Sequence, residues 1–196
     1  MTGTLDQAGQ DLLFLNARTY SSFLDRPVAD DVLRRAWDLA RMGPTSANCQ
    51  PARIVFVRSP EAKEKLKPAL APGNVDKTMA APVTAIVGQD LKFYDLLPRL
   101  FPHADARAWF VGNEPLTLAT AFRNSSLQAA YFILACRSLG LDCGPMSGFD
   151  ATKVDAAFFP DGQVKANLLI NLGYGDATGL YPRGPRLEFD EACTVV

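Results

Sequence analysis

The stretch Leu118–Leu139, LATAFRNSSLQAAYFILACRSL, decides how the rest of the chain is read. From Ala129 to Ala135 the residues run Ala-Ala-Tyr-Phe-Ile-Leu-Ala, and Gly140 supplies a stop after Leu139. The pattern predicts a helix over Leu118–Leu139 that is apolar nearly all round, so one neighbour cannot cover it. It is either the core of a monomer or a helix shared with a second subunit. Its most apolar part, Leu127–Cys136, is interrupted by Gln128 and closed by Arg137, and is too short to span a bilayer.

Outward from this helix, the chain reads as several helices and few strands. Towards the N-terminus a weakly periodic helix covers Leu5–Ala17. A second starts at Asp30 as N-cap, carries Val32, Leu33, Ala36, Trp37, Leu39 and Ala40 at helical spacing, and stops at Gly43-Pro44. Ile54–Val57, Val83–Val87 and Ala166–Leu172 read as strands, and Ser59-Pro60-Glu61 opens a short helix with Pro at its first position. Residues 89–115, with Phe93, Tyr94, Phe101, Trp109 and Phe110 and the breakers Pro98 and Pro102, read as an irregular lid or binding excursion. Another short helix is expected after Asp150. Long helices with few strands argue for an α+β domain over residues 1–196 and against a doubly wound sheet.

Composition narrows the function classes. The net charge of −1 and scattered Lys and Arg leave no nucleic-acid footprint. Met1–Gln10 has neither a basic cluster nor an apolar run, so no signal peptide and a cytoplasmic location are expected. Cys49, Cys136, Cys143 and Cys193 form no CxxC pair and His103 stands alone, which argues against zinc and for reduced thiols. No GxGxxG, GxxxxGK[ST] or GxSxG sequence is present. His103 with Asp105 is conceivable as a catalytic pair, but one histidine leaves little for a triad.

Three polar segments remain. Arg18-Thr19-Tyr20-Ser21 offers a guanidinium and hydroxyls that suit phosphate oxygens, or is simply a surface turn. Gly43–Pro51, GPTSANCQP, offers Asn48 and Gln50 amides for a polyol or heteroaromatic edge, or is a helix-exit loop. Gly144-Pro145-Met146-Ser147-Gly148 offers backbone N–H groups to a ligand atom. None is specific alone.

Taken together and in this order, the segments resemble the nitroreductase-like FMN family over nearly the whole chain. The opening arginine motif is matched by Arg18-Thr19-Tyr20-Ser21, and the Pro-Ser-x-x-Asn-x-Gln-Pro-like loop by Pro44–Pro51. The Pro-x-x-Gly-Phe segment after Leu-Gly-Leu is matched by Pro145–Phe149 after Leu139-Gly140-Leu141. Asn74 stands ahead of Lys77 and Ala81-Pro82 where the family places an Asn on the flavin, and Arg183 and Arg186 match its basic C-terminal phosphate site. The runs Leu100–His103, Ala121–Ser126, Gly144–Asp150 and Leu168–Asn171 are more similar to one branch, the malonic semialdehyde reductases of the Rut pyrimidine-degradation pathway. Two departures stand out: Ser21 where a basic residue is common, and Ser147 where an acidic one is.

The resemblance implies a small antiparallel sheet flanked by helices in an entwined homodimer, with FMN at the subunit interface and NAD(P)H as co-substrate. It implies that Arg18, Arg183 and Arg186 serve the phosphate. Thr19, Tyr20, Pro44, Thr45, Ser46, Asn48 and Asn74 would line the ribityl chain or pyrimidine edge, and Pro145, Met146, Ser147 and Gly148 the flavin near N5. The flavin carries the hydride, so no catalytic side chain is assigned. Lys77, Arg107 and Arg123 are the candidate partners of a substrate carboxylate. The acceptor implied is malonic semialdehyde, with a general nitro- or quinone reductase and a flavin-binding module without turnover as alternatives. A channel lined by Phe93, Trp109 and Phe110 would favour the general reductase.

Overall fold

The computed structural model describes residues 3–196; Met1 and Thr2, where the expected single-domain span and the leader reading begin, lie outside the described residues. The elements are α1 (Gln7–Gln10), α2 (Asp30–Ala40), β1 (Ala52–Val57), α3 (Pro60–Leu66), α4 (Val75–Ala80), β2 (Val83–Asp90), α5 (Leu97–Leu100), α6 (Glu114–Ser138), β3 (Asp142–Met146), α7 (Ala151–Phe158), β4 (Val164–Gly173) and α8 (Phe189–Ala192). The four strands form one antiparallel sheet in the order β1-β2-β4-β3.

Alternation divides the sheet between two cores, because successive side chains point to opposite faces. Val83, Ala85 and Val87 of β2 and Ile170 and Leu172 of β4 meet Phe132 and Ala36 of the helices α6 and α2 on one face. Ile86 and Leu169 point the other way, onto Leu66 of α3 and Val154 of α7. With both faces covered, β2 and β4 carry apolar residues on both sides at Ala85–Val87 and Leu168–Ile170, and each fully buried Leu, Ile or Phe contributes roughly 1.5–3 kcal/mol. The short helices hold by their caps. Ser59 accepts from the Ala62 amide at 3.2 Å and Asp150 from the Lys153 amide at 3.2 Å, each cap worth about 1 kcal/mol.

Several boundaries differ from the sequence reading. Asp30 is not the N-cap of α2: Ala29 takes that position, and the Asp30 carboxylate pairs instead with Arg58 at 2.5 Å. The N-terminal helix ends at Leu15, short of Ala17, after widening into a turn with Asn16 N–H donating to Asp11 O. A fourth strand, β3, occupies Asp142–Met146, part of which reads as a turn because Gly144 and Pro145 are poor strand formers. Pro145 is tolerated there because β3 is an edge strand. Residues 89–115 are not structureless. They hold α5 and single helical turns at Phe93–Leu96 and Ala106–Trp109, and Glu114-Pro115 already starts α6.

The long helix α6 is amphipathic the wrong way round. Its buried stripe includes Thr117, Thr120, Asn124, Ser125 and Gln128, while Leu118, Phe122, Leu127 and Tyr131 are 40–56% exposed. The polar stripe is used: Asn124 Oδ1 accepts from Ser46 N–H at 2.8 Å, Gln128 Oε1 from Ala52 N–H at 2.9 Å, and Ser125 Oγ from the Asn167 amide at 2.8 Å. Ile133 is partly buried and packs against its own chain's core. Among the described residues no helix is long and apolar enough to cross a membrane.

Candidate functional site

Four arginines converge on one polar pocket of about 390 Å³. Its walls are Phe14, Ala17, Arg18, Thr19, Arg137, Arg183, Gly184 and Arg186. The segment after Leu180 has no regular structure until α8, and arginines hold it in place. Arg18 donates to Tyr181 O, and Arg183 reaches back to Leu15 O at 2.6 Å and Ala17 O at 2.8 Å. Arg137, near the C-terminal end of α6, donates to Leu13 O at 3.2 Å, and Arg186 bends onto Gly184 O at 2.9 Å. Their partners are neutral carbonyls, and among the described residues none of the four is paired with a carboxylate. Such a donor set suits a phosphate monoester, which guanidinium forks bind with charge-assisted bonds.

From this pocket the outer edge of β3 leads away. Thr19 bridges to Cys143 and the Tyr20 amide donates to Cys143 O at 3.1 Å, so the arginine motif is docked on the strand itself. Gly144 is needed there, since a Cβ on it would stand within van der Waals radius of Tyr20 O. Burial and the Asp142 carboxylate push the Tyr20 phenol up, against the lowering effect of Arg18. The Tyr20 phenol therefore stays neutral beside the strand.

At the far end of β3, Pro145 and Met146 finish the strand, Met146 turning inward to accept from Thr78 Oγ1 at 3.5 Å. Ser147 is exposed, and Gly148 O accepts from both Asn74 Nδ2 at 2.7 Å and Ala71 N–H at 3.0 Å. Asn74 is set by α4, whose Lys77 carbonyl accepts from the buried Asn171 side chain at 3.2 Å, itself bonded by Thr84 at 2.7 Å. At about 3.3 Å per residue, Cys143 to Met146 separates the two ends by about 10 Å. Arg18, Thr19, Tyr20, Asn74, Pro145, Met146, Ser147, Gly148, Arg183 and Arg186 therefore lie along one edge.

The loop Gly43–Pro51 lies elsewhere. It leads into β1, the opposite edge of the sheet, three strand spacings or about 14 Å from β3. Pro44, Ser46 and Asn48 are exposed and Thr45 half-buried. Ala47, Asn48 and Gln50 have φ of 48°, 51° and 40°, an unusual run of left-handed non-glycine residues. Each such residue costs of order 1 kcal/mol and persists only where the surroundings fix it. Here Asn48 Nδ2 donates to Leu100 O at 2.9 Å, Gln50 Nε2 to Asn48 Oδ1 at 2.7 Å, and Arg53 to Gln50 O at 3.0 Å. Arg53 is held in turn by Asp90 at 2.5 Å. One chain does not bring this loop to the arginine pocket.

The candidate carboxylate partners are scattered. Arg107 is paired with Asp95 at 2.8 Å and lies over Tyr94. Arg123 projects from the exposed face of α6 beside Phe122 and Leu127. Lys77 alone is near the β3 edge, one turn from Asn74. Phe93 and Phe110 are buried in a small core with Leu97, Ala106 and Cys49, so they line no channel; only Trp109, half exposed, is free to. Among the described residues no cluster of His, Cys, Asp and Glu is arranged to hold a metal.

Sequence reasoning missed Arg137, Asn124 and Gln128. Arg137 could have been suspected, since it interrupts an apolar helix. Asn124 and Gln128 are four apart, the spacing of one helix face, but nothing local shows that a distant loop meets them.

Comparison with known proteins places residues 15–174 on the model of the nitroreductase family. A protein of Burkholderia lata named as a candidate NADH dehydrogenase/NAD(P)H nitroreductase is 62% identical over 192 residues, covering 98% of each chain. The crystal structure of a candidate nitroreductase from Bacillus subtilis superposes with a TM-score of 0.86 at 25% identity, over 97% of this chain and 100% of that one. One from Exiguobacterium sibiricum, solved in complex with FMN, superposes with a TM-score of 0.81 at 19% identity over the whole of both chains.

Proposed function

The chain belongs to the nitroreductase family, and from that premise we propose that it is a homodimeric FMN enzyme that moves hydride from NAD(P)H to a small carbonyl acid. The observation that carries this is the pocket of four arginines continuous with the edge of β3. A phosphate at Arg18, Arg137, Arg183 and Arg186 leaves the rest of a flavin mononucleotide to run along Thr19 and Tyr20 towards Asn74 and Gly148. FMN, when bound, supplies the reversible two-electron chemistry that none of these side chains can. The chain's own work is to hold it, orient it and keep water from it.

The second subunit is part of the reading. Leu118, Phe122, Leu127 and Tyr131 leave an apolar stripe on α6 that one chain does not cover. The loop Pro44–Gln50 is tied down by its own hydrogen bonds and leads into β1, at the opposite edge of the sheet from its own chain's pocket. A second copy across α6 would cover the stripe and bring Thr45, Ser46 and Asn48 to the open side of the flavin. The two sites per dimer would then be symmetric.

For the acceptor, malonic semialdehyde, reduced to 3-hydroxypropionate as in pyrimidine degradation, is the reading that the runs Leu100–His103 and Gly144–Asp150 support. A carboxylate calls for a cation, and Lys77 is the best placed of the three considered. The general nitro- or quinone reductase is favoured instead by the relatives' names. The deciding experiment starts with the visible spectrum of the purified protein and the flavin released on denaturation. NADPH is then added without oxygen, followed by malonic semialdehyde or a quinone. Reoxidation by the semialdehyde supports the first reading; reoxidation by the quinone alone supports the second. Protein that is colourless and takes up no FMN refutes both.

A further inference from the structure

A carbonyl reduced by hydride needs a proton on oxygen; Arg107 is already paired with Asp95, Arg123 lies on the exposed face of α6, and Lys77 is wanted for the carboxylate. His103 is placed differently. The loop Gly43–Pro51 and the segment 91–112 form one body: Asn48 Nδ2 donates to Leu100 O at 2.9 Å, and Cys49 is fully buried in one cluster with Phe93, Leu97 and Phe110. Immediately past Leu100 the chain turns outward. The Phe101 ring meets the His103 ring edge-on at 5.7 Å and the Trp109 ring at 6.2 Å. His103 is exposed and Trp109 is 50% exposed, so the three rings make an aromatic rim with the imidazole at its end.

Ring packing, not a carboxylate, orients this imidazole. Among the described residues no hydrogen bond joins His103 to Asp105, and its side chain is exposed. The rim is fixed to the loop by the Asn48–Leu100 bond, and therefore travels wherever the loop goes.

We infer that His103, on the rim of Phe101 and Trp109, is the acceptor-facing acid of this enzyme and selects small oxo acids. The inference rests on the dimeric flavin site proposed above, in which the loop and its rim reach the second chain's pocket. In the step, the carbonyl carbon accepts a hydride originating from NAD(P)H, and the C=O π bond breaks. A new C–H bond forms, and the oxygen takes a proton from the His103 imidazolium to become the hydroxyl. The imidazole is left neutral and regains its proton from water. An imidazolium also offers positive charge to the substrate carboxylate, a preference an apolar rim alone would lack.

The test is His103→Gln, a surface substitution that keeps a hydrogen-bonding side chain. Flavin-loaded wild type and variant are reduced with NADPH, then mixed with malonic semialdehyde or a quinone in a stopped-flow cell. Flavin reduction by NADPH should stay within twofold, semialdehyde reoxidation should slow at least tenfold, and quinone reoxidation should not change. A second readout needs no turnover: in a Trp37→Phe background, the change in Trp109 fluorescence of the oxidised protein on titration with 3-hydroxypropionate should require at least threefold more ligand in the variant. Semialdehyde reoxidation at the wild-type rate, or equal slowing with both acceptors, overturns the role of His103. Absence of bound flavin, or flavin that NADPH never reduces, is seen before any acceptor is added and counts against the proposed function instead.

Discussion

The side-chain amide of Asn74 donates to the carbonyl of Gly148 at 2.7 Å, and a Cβ on Gly148 would stand 2.5 Å from that same nitrogen. The two residues, 74 positions apart, thus fix each other at the end of β3 where the flavin ring is proposed to lie. Gly148 needs no unusual φ; what it needs is the missing Cβ, so that the backbone can approach.

Gly148→Ala should therefore act locally. The alanine must displace Asn74, a clash costing about 1–3 kcal/mol if unrelieved. We expect FMN affinity to fall at least tenfold, measured by quenching of flavin fluorescence, while the circular dichroism spectrum is unchanged. Unaltered affinity would show that the Asn74–Gly148 contact does not shape the flavin site.

The arginine pocket predicts a difference between two ligands. Arg18→Ala and Arg137→Ala each remove a charged donor, worth on the order of 1.5–3 kcal/mol. FMN affinity should fall by about tenfold to over a hundredfold. Riboflavin, which lacks the phosphate, should bind either variant nearly as it binds the wild type. Equal losses for both ligands would move the phosphate elsewhere.

How much of this was legible depends on how local each cause is. Ser59-Pro60 announces α3 because cap and first-turn residues act within four positions. Arg18, Asn74, Gly148 and Arg183 were legible only as motif positions, through the family resemblance. Their arrangement along β3 was hidden, because Gly144 and Pro145 disguise an edge strand. Arg137 entered the pocket unannounced, since it is brought there by the fold of the N-terminal segment and the tail. The excursion at 89–115 misled for the opposite reason: Pro98 reads as a breaker but sits in the first turn of α5, and Phe93, Leu97 and Phe110 build a core of their own.

Alkaline pH should loosen the loop anchored by that core. Burial pushes the Cys49 thiol up to about 11, against hydrogen bonds from Thr45 and the backbone that lower it. A folded value above the unfolded one means the native state keeps its proton longer. The stabilising contribution is complete below the unfolded thiol range and is lost as pH rises through about 11. Tyr20, also raised, acts in the same direction. Stability to urea should fall between about pH 9 and 11, and less steeply in Cys49→Ala. Identical slopes in the two proteins would remove Cys49 from the account. At neutral pH a thiol reagent should modify Cys193, the exposed cysteine, and spare Cys49, Cys136 and Cys143.

The two faces of α6 make opposite predictions for one kind of substitution. Phe122, 56% exposed, tolerates a charge in an isolated chain but not under a second copy. Phe122→Asp should yield a folded monomer by light scattering, with FMN affinity sharply reduced. Ile133→Asp places a charge against the chain's own core and should destabilise the fold by about 1–3 kcal/mol, lowering the melting temperature. A Phe122→Asp protein that remains dimeric would show that α6 is covered in some other way.

Whether the loop and the pocket of one site come from different chains can be decided by mixing two defective proteins. Arg18→Ala damages the pocket on β3, and Ser46→Trp blocks the exposed loop before β1. Each homodimer should bind FMN poorly. In the mixed dimer, if loop and pocket belong to different chains, one site receives both defects and the other receives neither. Unfolding and refolding the two proteins together should then restore tight binding at one FMN per dimer in the hybrid fraction, separated by differently charged tags. If instead the loop serves its own chain's pocket, every site in the hybrid carries one defect and no tight site appears. The sheet order β1-β2-β4-β3, which puts loop and pocket on opposite edges, predicts the first outcome.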